Sequence, residues 1–389
     1  MKKFLFLLII LFLIFNLFSE KISAQSTVQV FVLVGQSNMK GFGKIYEFPR
    51  TSSSSFNVIE SSLVDTNSSF NRSNTLIDVM QKDTIDQWSM IESNGTWSVM
   101  DNAYLYFERE TDTIINHITV GQGASHEYFG PELMFAYQMD QYYQEPVLVI
   151  KIAFGGVSLA KGFRPPSSGG ITGPYYTKMI ETVKEVTSNI PTEFISLGFS
   201  DFELAGFSWF QGWNDGISND VLNQYESNLY HLVNDVRKDL GSLNLPIVIA
   251  SAGQGGYGDH RGTIQDMQDI ISVAQENVGC NDAIYGGALG FVNTKPFYMP
   301  VSESPEKAEH HYNNNALSFL NIGKSIGDEM ILAINDLAYC SNKSIIEFAN
   351  KKELIKITDI FGRDVNYRKN IPLFFIYSDG SVEKKLIIE

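Results

Sequence analysis

Short apolar runs alternate with amphipathic stretches along most of this chain, and that alternation limits the folds open to it. Val28 to Val34, Val147 to Phe154, Phe194 to Leu197, Phe207 to Phe210 and Ile247 to Ala250 are runs of strand length closed by glycine or turn residues. Between them, Pro131 to Tyr142, Tyr176 to Val186, Tyr225 to Leu240 and Ala316 to Leu337 place apolar residues three and four apart, the period of a helix with one buried face. Strands separated by helices pair as parallel βαβ units, whose crossovers put helices on both faces of a sheet. The chain is therefore expected to be α/β, with ligands bound at the carboxyl ends of its strands.

At 389 residues, 44% of them apolar, the chain can bury a large core, as two or three domains or as one large domain with additions at its ends. A net charge of −15 repels phosphate backbones and anionic lipid, so nucleic acid is not an expected partner. The two cysteines, Cys280 and Cys340, exclude a disulfide scaffold and a cysteine-based zinc site; they are expected either as unpaired, partly buried thiols or as one bridge between them. No H-E-x-x-H pattern offers a metal site, so neither metal nor cofactor is expected.

The ends read differently from the middle. Lys2 and Lys3 precede an apolar run from Phe4 to Phe15, and Ser23 and Ala24 follow it, the order of a secretory signal peptide over residues 1–24. The run is too short for a stable membrane span, which needs about 20 residues. A secreted or cell-surface protein is expected. After Asn350 the chain alternates like strands, and Asp379-Gly380 between two such runs is a hairpin signal, so residues 351–389 are expected as a small C-terminal β appendage. Thr358-Asp359-Ile360-Phe361-Gly362-Arg363-Asp364 and Tyr377-Ser378-Asp379-Gly380-Ser381-Val382-Glu383-Lys384-Lys385 resemble the C-terminal sorting domain of the Bacteroidetes type IX secretion system. That resemblance implies secretion machinery as a partner.

Within the main domain, residues 25–338, a stretch rich in Ser, Asn, Thr and Asp at 44–124 reads as a long insertion after the first strand, either shaping a cleft at the carboxyl edge of the sheet or forming ordinary surface loop. The sharpest chemical signal is Gly35-Gln36-Ser37-Asn38-Met39, where the first strand stops. A serine there can face the cleft among unpaired backbone N–H groups, although Met39 breaks the G-x-S-x-G elbow pattern. Gly155-Gly156 follows a second strand and lets the backbone approach a ligand. Gln211 and Asn214, in Trp209-Phe210-Gln211-Gly212-Trp213-Asn214-Asp215, carry side-chain amides that can donate to an oxyanion. His310-His311 stands immediately before a long helix, and His311 can accept a proton from Ser37.

Taken together, in order, these blocks resemble the SGNH hydrolases, and within them sialate O-acetylesterase domains and related carbohydrate acetyl esterases. The likeness extends to Phe129-Gly130-Pro131-Glu132-Leu133, Gly162-Phe163-Arg164-Pro165-Pro166-Ser167-Ser168 and His311-Tyr312-Asn313-Asn314-Asn315-Ala316, over roughly residues 28–338. It implies a three-layer α/β/α, flavodoxin-like fold with a parallel central sheet. It also implies Ser37 as nucleophile, His311 as general base, and an oxyanion hole from the Ser37 N–H, a Gly155 or Gly156 N–H, and either Gln211 or Asn214. Where the superfamily places an aspartate three residues before the histidine, this chain has Ala308, which leaves Glu309, a more distant carboxylate or a backbone carbonyl to orient the imidazole.

The function expected from this is a serine esterase that removes O-acetyl groups from carbohydrate, with an acetylated glycan, sialic acid or polysaccharide, as substrate. A non-catalytic carbohydrate-binding protein of the same fold is the alternative, its 27 Phe, 18 Tyr and 4 Trp serving as stacking platforms. A lipid or aryl ester is a third reading. A binding module has no need for both Ser37 and His311 at one cleft.

Overall fold

The computed structural model describes residues 26–46, 74–93, 95–193, 199–257, 263–281 and 288–337, and toward the C-terminus 354–358, 363, 372–377 and 382–386. The signal-peptide segment 1–24, the run Phe194 to Leu197, Cys340 and the Asp379-Gly380 turn lie outside the described residues. Two compact units divide the chain, Met1–Ala338 and Tyr339–Glu389.

Seven strands of the first unit form one sheet: β1 (Ser26–Gly35), β2 (Ala103–Glu108), β3 (Thr113–His117), β4 (Val147–Ala153), β5 (Phe199–Phe210), β6 (Ile247–Ala250) and β7 (Leu289–Val292). Their spatial order is β7-β6-β5-β1-β4-β2-β3. All neighbours are parallel except β3, which runs antiparallel to β2 at the edge. The sheet is thus mostly parallel rather than wholly so. The helices that frame the site are α1 (Ser37–Lys40), α2 (Leu76–Lys82), α3 (Glu132–Tyr142), α4 (Pro174–Glu193), α5 (Tyr225–Asp239), α6 (Thr263–Gly279) and α7 (Ala316–Ile334), with a further single turn at Asn219–Leu222.

Period-two alternation along β1 assigns the layers. Val28, Val30, Val32 and Val34 point into a core shared with α4, α5 and α6, whereas Phe31 and Leu33 point into one shared with α3 and α7. Every one of these strand side chains is fully buried, as expected of a strand covered on both faces. Three layers result, helices on each side of the sheet.

Residues 44–124 depart from the expected loop insertion. Its second half supplies β2 and β3, and β2 pairs with β4 from Ala103↔Val147 to Phe107↔Lys151. The run Tyr104-Leu105-Tyr106-Phe107 is buried throughout, which makes it sheet core rather than surface loop. α2 begins with a reciprocal cap between Thr75 and Asp78. Cys280 is disulfide-bonded, the bridged one of the two states that sequence left open. No helix among the described residues is long and apolar enough to cross a membrane.

Strand connections run one way from β1, toward β2 and β4, and the other way from β5, toward β6 and β7. Such a reversal opens a crevice at the carboxyl ends of β1 and β5. The second unit is a three-stranded antiparallel sheet, β8 (Leu354–Thr358), β9 (Pro372–Tyr377) and β10 (Val382–Leu386), with Phe375 opposite both Ile357 and Glu383.

Candidate active site

Four segments meet at that crevice. The first is the end of β1, where Gly35 is dictated by packing: a Cβ there would lie 2.2 Å from the Phe210 carbonyl oxygen. The glycine lets β1 and β5 converge, and the next residue turns inward. Gln36 is buried, and its Oε1 accepts from Gln211 Nε2 at 3.2 Å, Gly212 N at 3.3 Å and Asn214 N at 3.4 Å. One side-chain oxygen thus gathers the loop after β5 against the turn after β1. Ser37 follows, half-buried, as the first residue of the single turn α1. The turn closes through Lys40 N to Gln36 O at 3.0 Å and Gly41 N to Ser37 O at 3.1 Å, and a helix start leaves its first N–H groups unpaired.

The second segment leaves β4. Phe154 N donates to Gly35 O at 3.1 Å, which fastens this loop beside the serine. Gly155 and Gly156 are exposed, and neither N–H has a partner among the described residues. A Cβ at Gly155 would meet nothing within 4 Å, and Gly156 has φ +71°, a left-handed conformation that favours glycine.

The loop after β5 separates the two amides that sequence left as alternatives. Gln211 is buried, and its Nε2 lies within hydrogen-bond distance of three interior acceptors: Asp215 Oδ2 at 2.7 Å, Val157 O at 3.0 Å and Gln36 Oε1. Asn214 is half-exposed beside the glycine turn, where its Nδ2 donates to the Gly156 carbonyl. Asp215 is fully buried and accepts from Leu159 N at 2.8 Å and Ala160 N at 2.9 Å as well as from Gln211. Burial pushes its carboxyl pKa up, against the lowering effect of those donors. Asp215 therefore stitches the β4 and β5 loops together. Gln36 and Asp215 are the framework residues that sequence reasoning missed. Both stood inside the recognised blocks, which is the one signal that marked them.

The histidines arrive on a turn of 3₁₀ type, Glu309–Asn314, that ends in three consecutive left-handed residues, Tyr312, Asn313 and Asn314. Buried polar contacts hold this unusual backbone. Tyr312 Oη lies 2.6 Å from Thr294 Oγ1 and accepts from Gly253 N at 3.1 Å. Asn313 Oδ1 accepts from Ala308 N at 3.0 Å, Asn314 Nδ2 donates to Glu306 Oε2 at 2.6 Å, and Asn315 caps α7 by accepting from Ser318 N at 3.2 Å. Asn38, next to the serine, reaches across with Nδ2 to the His310 carbonyl oxygen at 3.0 Å.

His311 is half-buried, its ring stacked on Phe42 with centroids 3.9 Å apart, and the His310 ring lies 4.1 Å beyond. Burial, with a smaller contribution from the neighbouring His310 charge, lowers the His311 pKa to about 3. Its imidazole is therefore neutral, the form that accepts a proton. Glu309 is exposed, and its charge is not among those acting on His311. Among the described residues no carboxylate hydrogen-bonds this ring, and no hydrogen bond joins it to Ser37 Oγ. Apo catalytic contacts are often long and tighten on substrate binding. Three residues before His311, the Ala308 carbonyl accepts from His311 N at 2.7 Å and Asn313 N at 2.9 Å.

A doubly covered, mostly parallel sheet, with a serine, a neutral histidine and unpaired N–H groups at the point where strand order reverses, is the layout of an α/β hydrolytic enzyme. The family model described as "SASA: Carbohydrate esterase, sialic acid-specific acetylesterase" matches residues 27–287, and the chain belongs to that family. Among curated proteins none matches the chain. Similar solved structures include a protein from Arabidopsis thaliana, at 16% identity and TM-score 0.45, covering 78% of this chain and 98% of that one. A carbohydrate acetylesterase from Xanthomonas citri is similar at 12% identity and TM-score 0.46, covering 90% of this chain and 62% of that one. NanS is similar at 11% identity and TM-score 0.40, covering 84% of this chain and 99% of that one.

Proposed function

We propose that this protein is a secreted serine esterase that removes O-acetyl groups from carbohydrate, sialic acid or polysaccharide, through an acetyl-serine intermediate. The observation that carries the reading is the Asn38 to His310 hydrogen bond, which brings the serine turn and the histidine turn to one crevice. Ser37 Oγ attacks the acetyl carbonyl carbon while His311 takes the hydroxyl proton. Negative charge develops on the carbonyl oxygen and is met by the Ser37 N–H, a glycine-turn N–H at Gly155 or Gly156, and Asn214 Nδ2. Collapse expels the sugar hydroxyl, protonated by His311. Water, deprotonated by the same imidazole, then releases acetate from Ser37. Gln211 supports this machinery from inside, and the oxyanion role passes to Asn214.

The test is acetate release from p-nitrophenyl acetate, acetylated xylan and an O-acetyl sialoside, by wild type and by Ser37→Ala. Turnover by wild type alone supports the reading, and the order of substrates assigns the sugar. If both proteins are inert on every ester yet bind glycan, the protein is a binding module. Export through the leader and the C-terminal segment is tested separately: a secreted form beginning at Gln25 supports it, and retention of residues 1–24 on an intracellular product contradicts it.

A further inference from the structure

A buried ion pair lies beneath the serine turn and takes no part in the chemistry above. Lys151, in the middle of β4, and Glu132, the first residue of α3, have fully buried side chains, with Lys151 Nζ 2.9 Å from Glu132 Oε2. The ammonium has two further partners, both backbone carbonyls: Gln122 O at 2.8 Å and Lys40 O at 3.1 Å. The Phe107 ring covers it, with the centroid 4.1 Å away. Burial lowers the Lys151 pKa to about 8, opposed by the charge and hydrogen bond of Glu132.

Stability does not account for such a pair. Replacing a buried ion pair with apolar residues of similar volume is often neutral or stabilising, so its use is to be sought in what it holds in place. Lys40 is the last residue of α1, and its carbonyl is one of those a helix end leaves without an intrahelical partner. α1 is four residues long and has no length of its own to stiffen it. The other end of the clamp grips the same place. Glu132 Oε1 accepts from Gly130 N at 2.8 Å, and Gly130 packs so closely on Gly41 that a Cβ at Gly41 would lie 2.3 Å from the Gly130 Cα. Lys151 and Glu132 therefore bear on Lys40 and Gly41, the two residues that close the turn carrying Ser37.

We propose that the Lys151–Glu132 pair is the positioning device of the nucleophile, fixing the single turn that presents Ser37 through the Lys40 carbonyl and the Gly130–Gly41 contact. Neither residue meets substrate; both act through Ser37. This rests on the esterase reading above, so its test carries a readout that does not depend on turnover.

The experiment compares wild type with the double variant Lys151→Met/Glu132→Gln, which removes both charges and leaves an acceptor for Gly130 N. Amide hydrogen exchange and p-nitrophenyl acetate kinetics are read side by side. Exchange at Lys40 and Gly41 should rise about tenfold or more while the amides of β1 and β4 stay protected. The kcat should fall about a hundredfold with KM little changed, as expected when a reacting group is displaced by about 1 Å. A folded double variant with wild-type exchange at Lys40 and Gly41 overturns the proposal, whatever its kcat. Should the double variant fail to fold, Glu132→Gln alone is read in the same way, and unchanged protection at those two amides again overturns it. Inert wild type on every ester removes the esterase reading instead, and the exchange result still decides the clamp.

Discussion

Asn38 Nδ2 donates to the His310 carbonyl oxygen at 3.0 Å, tying together residues 272 positions apart in sequence. The bond joins the backbone that carries His311 to the turn that carries Ser37, and Asn38 itself is buried. Asn38→Ala should therefore cost about 1 kcal/mol of stability, the ordinary effect of one lost hydrogen bond. Activity should suffer more than stability, with kcat down about tenfold or more as the two turns drift. Thermal unfolding and steady-state kinetics on the same sample check this, and equal kcat would detach the bond from catalysis.

The pH dependence follows from His311. With its pKa lowered to about 3, the proton-accepting imidazole is the populated form from mildly acidic to neutral pH. The profile of kcat/KM should stay flat through pH 6.5, the ordinary histidine value, and fall only on approaching about 3. Stability carries a different signature. Between those two values the unfolded chain holds a proton that the folded one does not, so this group makes stability decline as pH falls through the window. A kinetic limb centred near the ordinary value would mean that burial does not hold the working imidazole neutral.

Ala308 stands three residues before His311, where the resemblance to the SGNH hydrolases implies an aspartate. Ala308→Asp should raise the His311 pKa by placing a carboxylate beside the imidazolium form. The acid limb should then move toward neutrality and kcat should rise about tenfold or more. A limb that does not move would mean that the new carboxylate fails to reach the ring.

Asn214 and Gln211 should separate cleanly on substitution. Asn214 faces the glycine turn and carries no interior load, so Asn214→Ala should lower kcat about a hundredfold with little change in unfolding temperature. Gln211→Ala should behave oppositely, costing about 2 kcal/mol because it strips a donor from the buried Asp215 and Val157 acceptors. Kinetics and calorimetry on both variants decide the assignment, and a kcat loss confined to Gln211→Ala would reverse it.

What sequence made legible was mainly local. The apolar run of β1, the helical period of α5 and the glycines that end strands are patterns within a few residues, and the ordered blocks added the place where the strands end. Lys151 shows the limit. In the continuous buried run of β4 a lysine reads as an interruption, and its reason for being there, Glu132 together with the Lys40 carbonyl, comes from two other segments. Gln36 and Gln211 are similar, since neither amide's orientation is set by its neighbours in the chain. β2 and β3 were hidden for another reason: polar stretches surround two short runs whose strand character depends on pairing with β4 and with each other. β7, four residues with a glycine second, carries too little pattern to stand out.

The site joins the first strand to the turn before the last helix of its unit. During synthesis the serine emerges early, and the histidine turn only after β7 has been made. A ribosome-bound chain that has reached the end of α6 holds Ser37 without His311, and without Tyr312, Asn313 and Asn314 to set the turn's backbone. Such a fragment lacks the proposed base and the contact between the two turns, so on the esterase reading hydrolytic competence waits for the last part of the domain to dock.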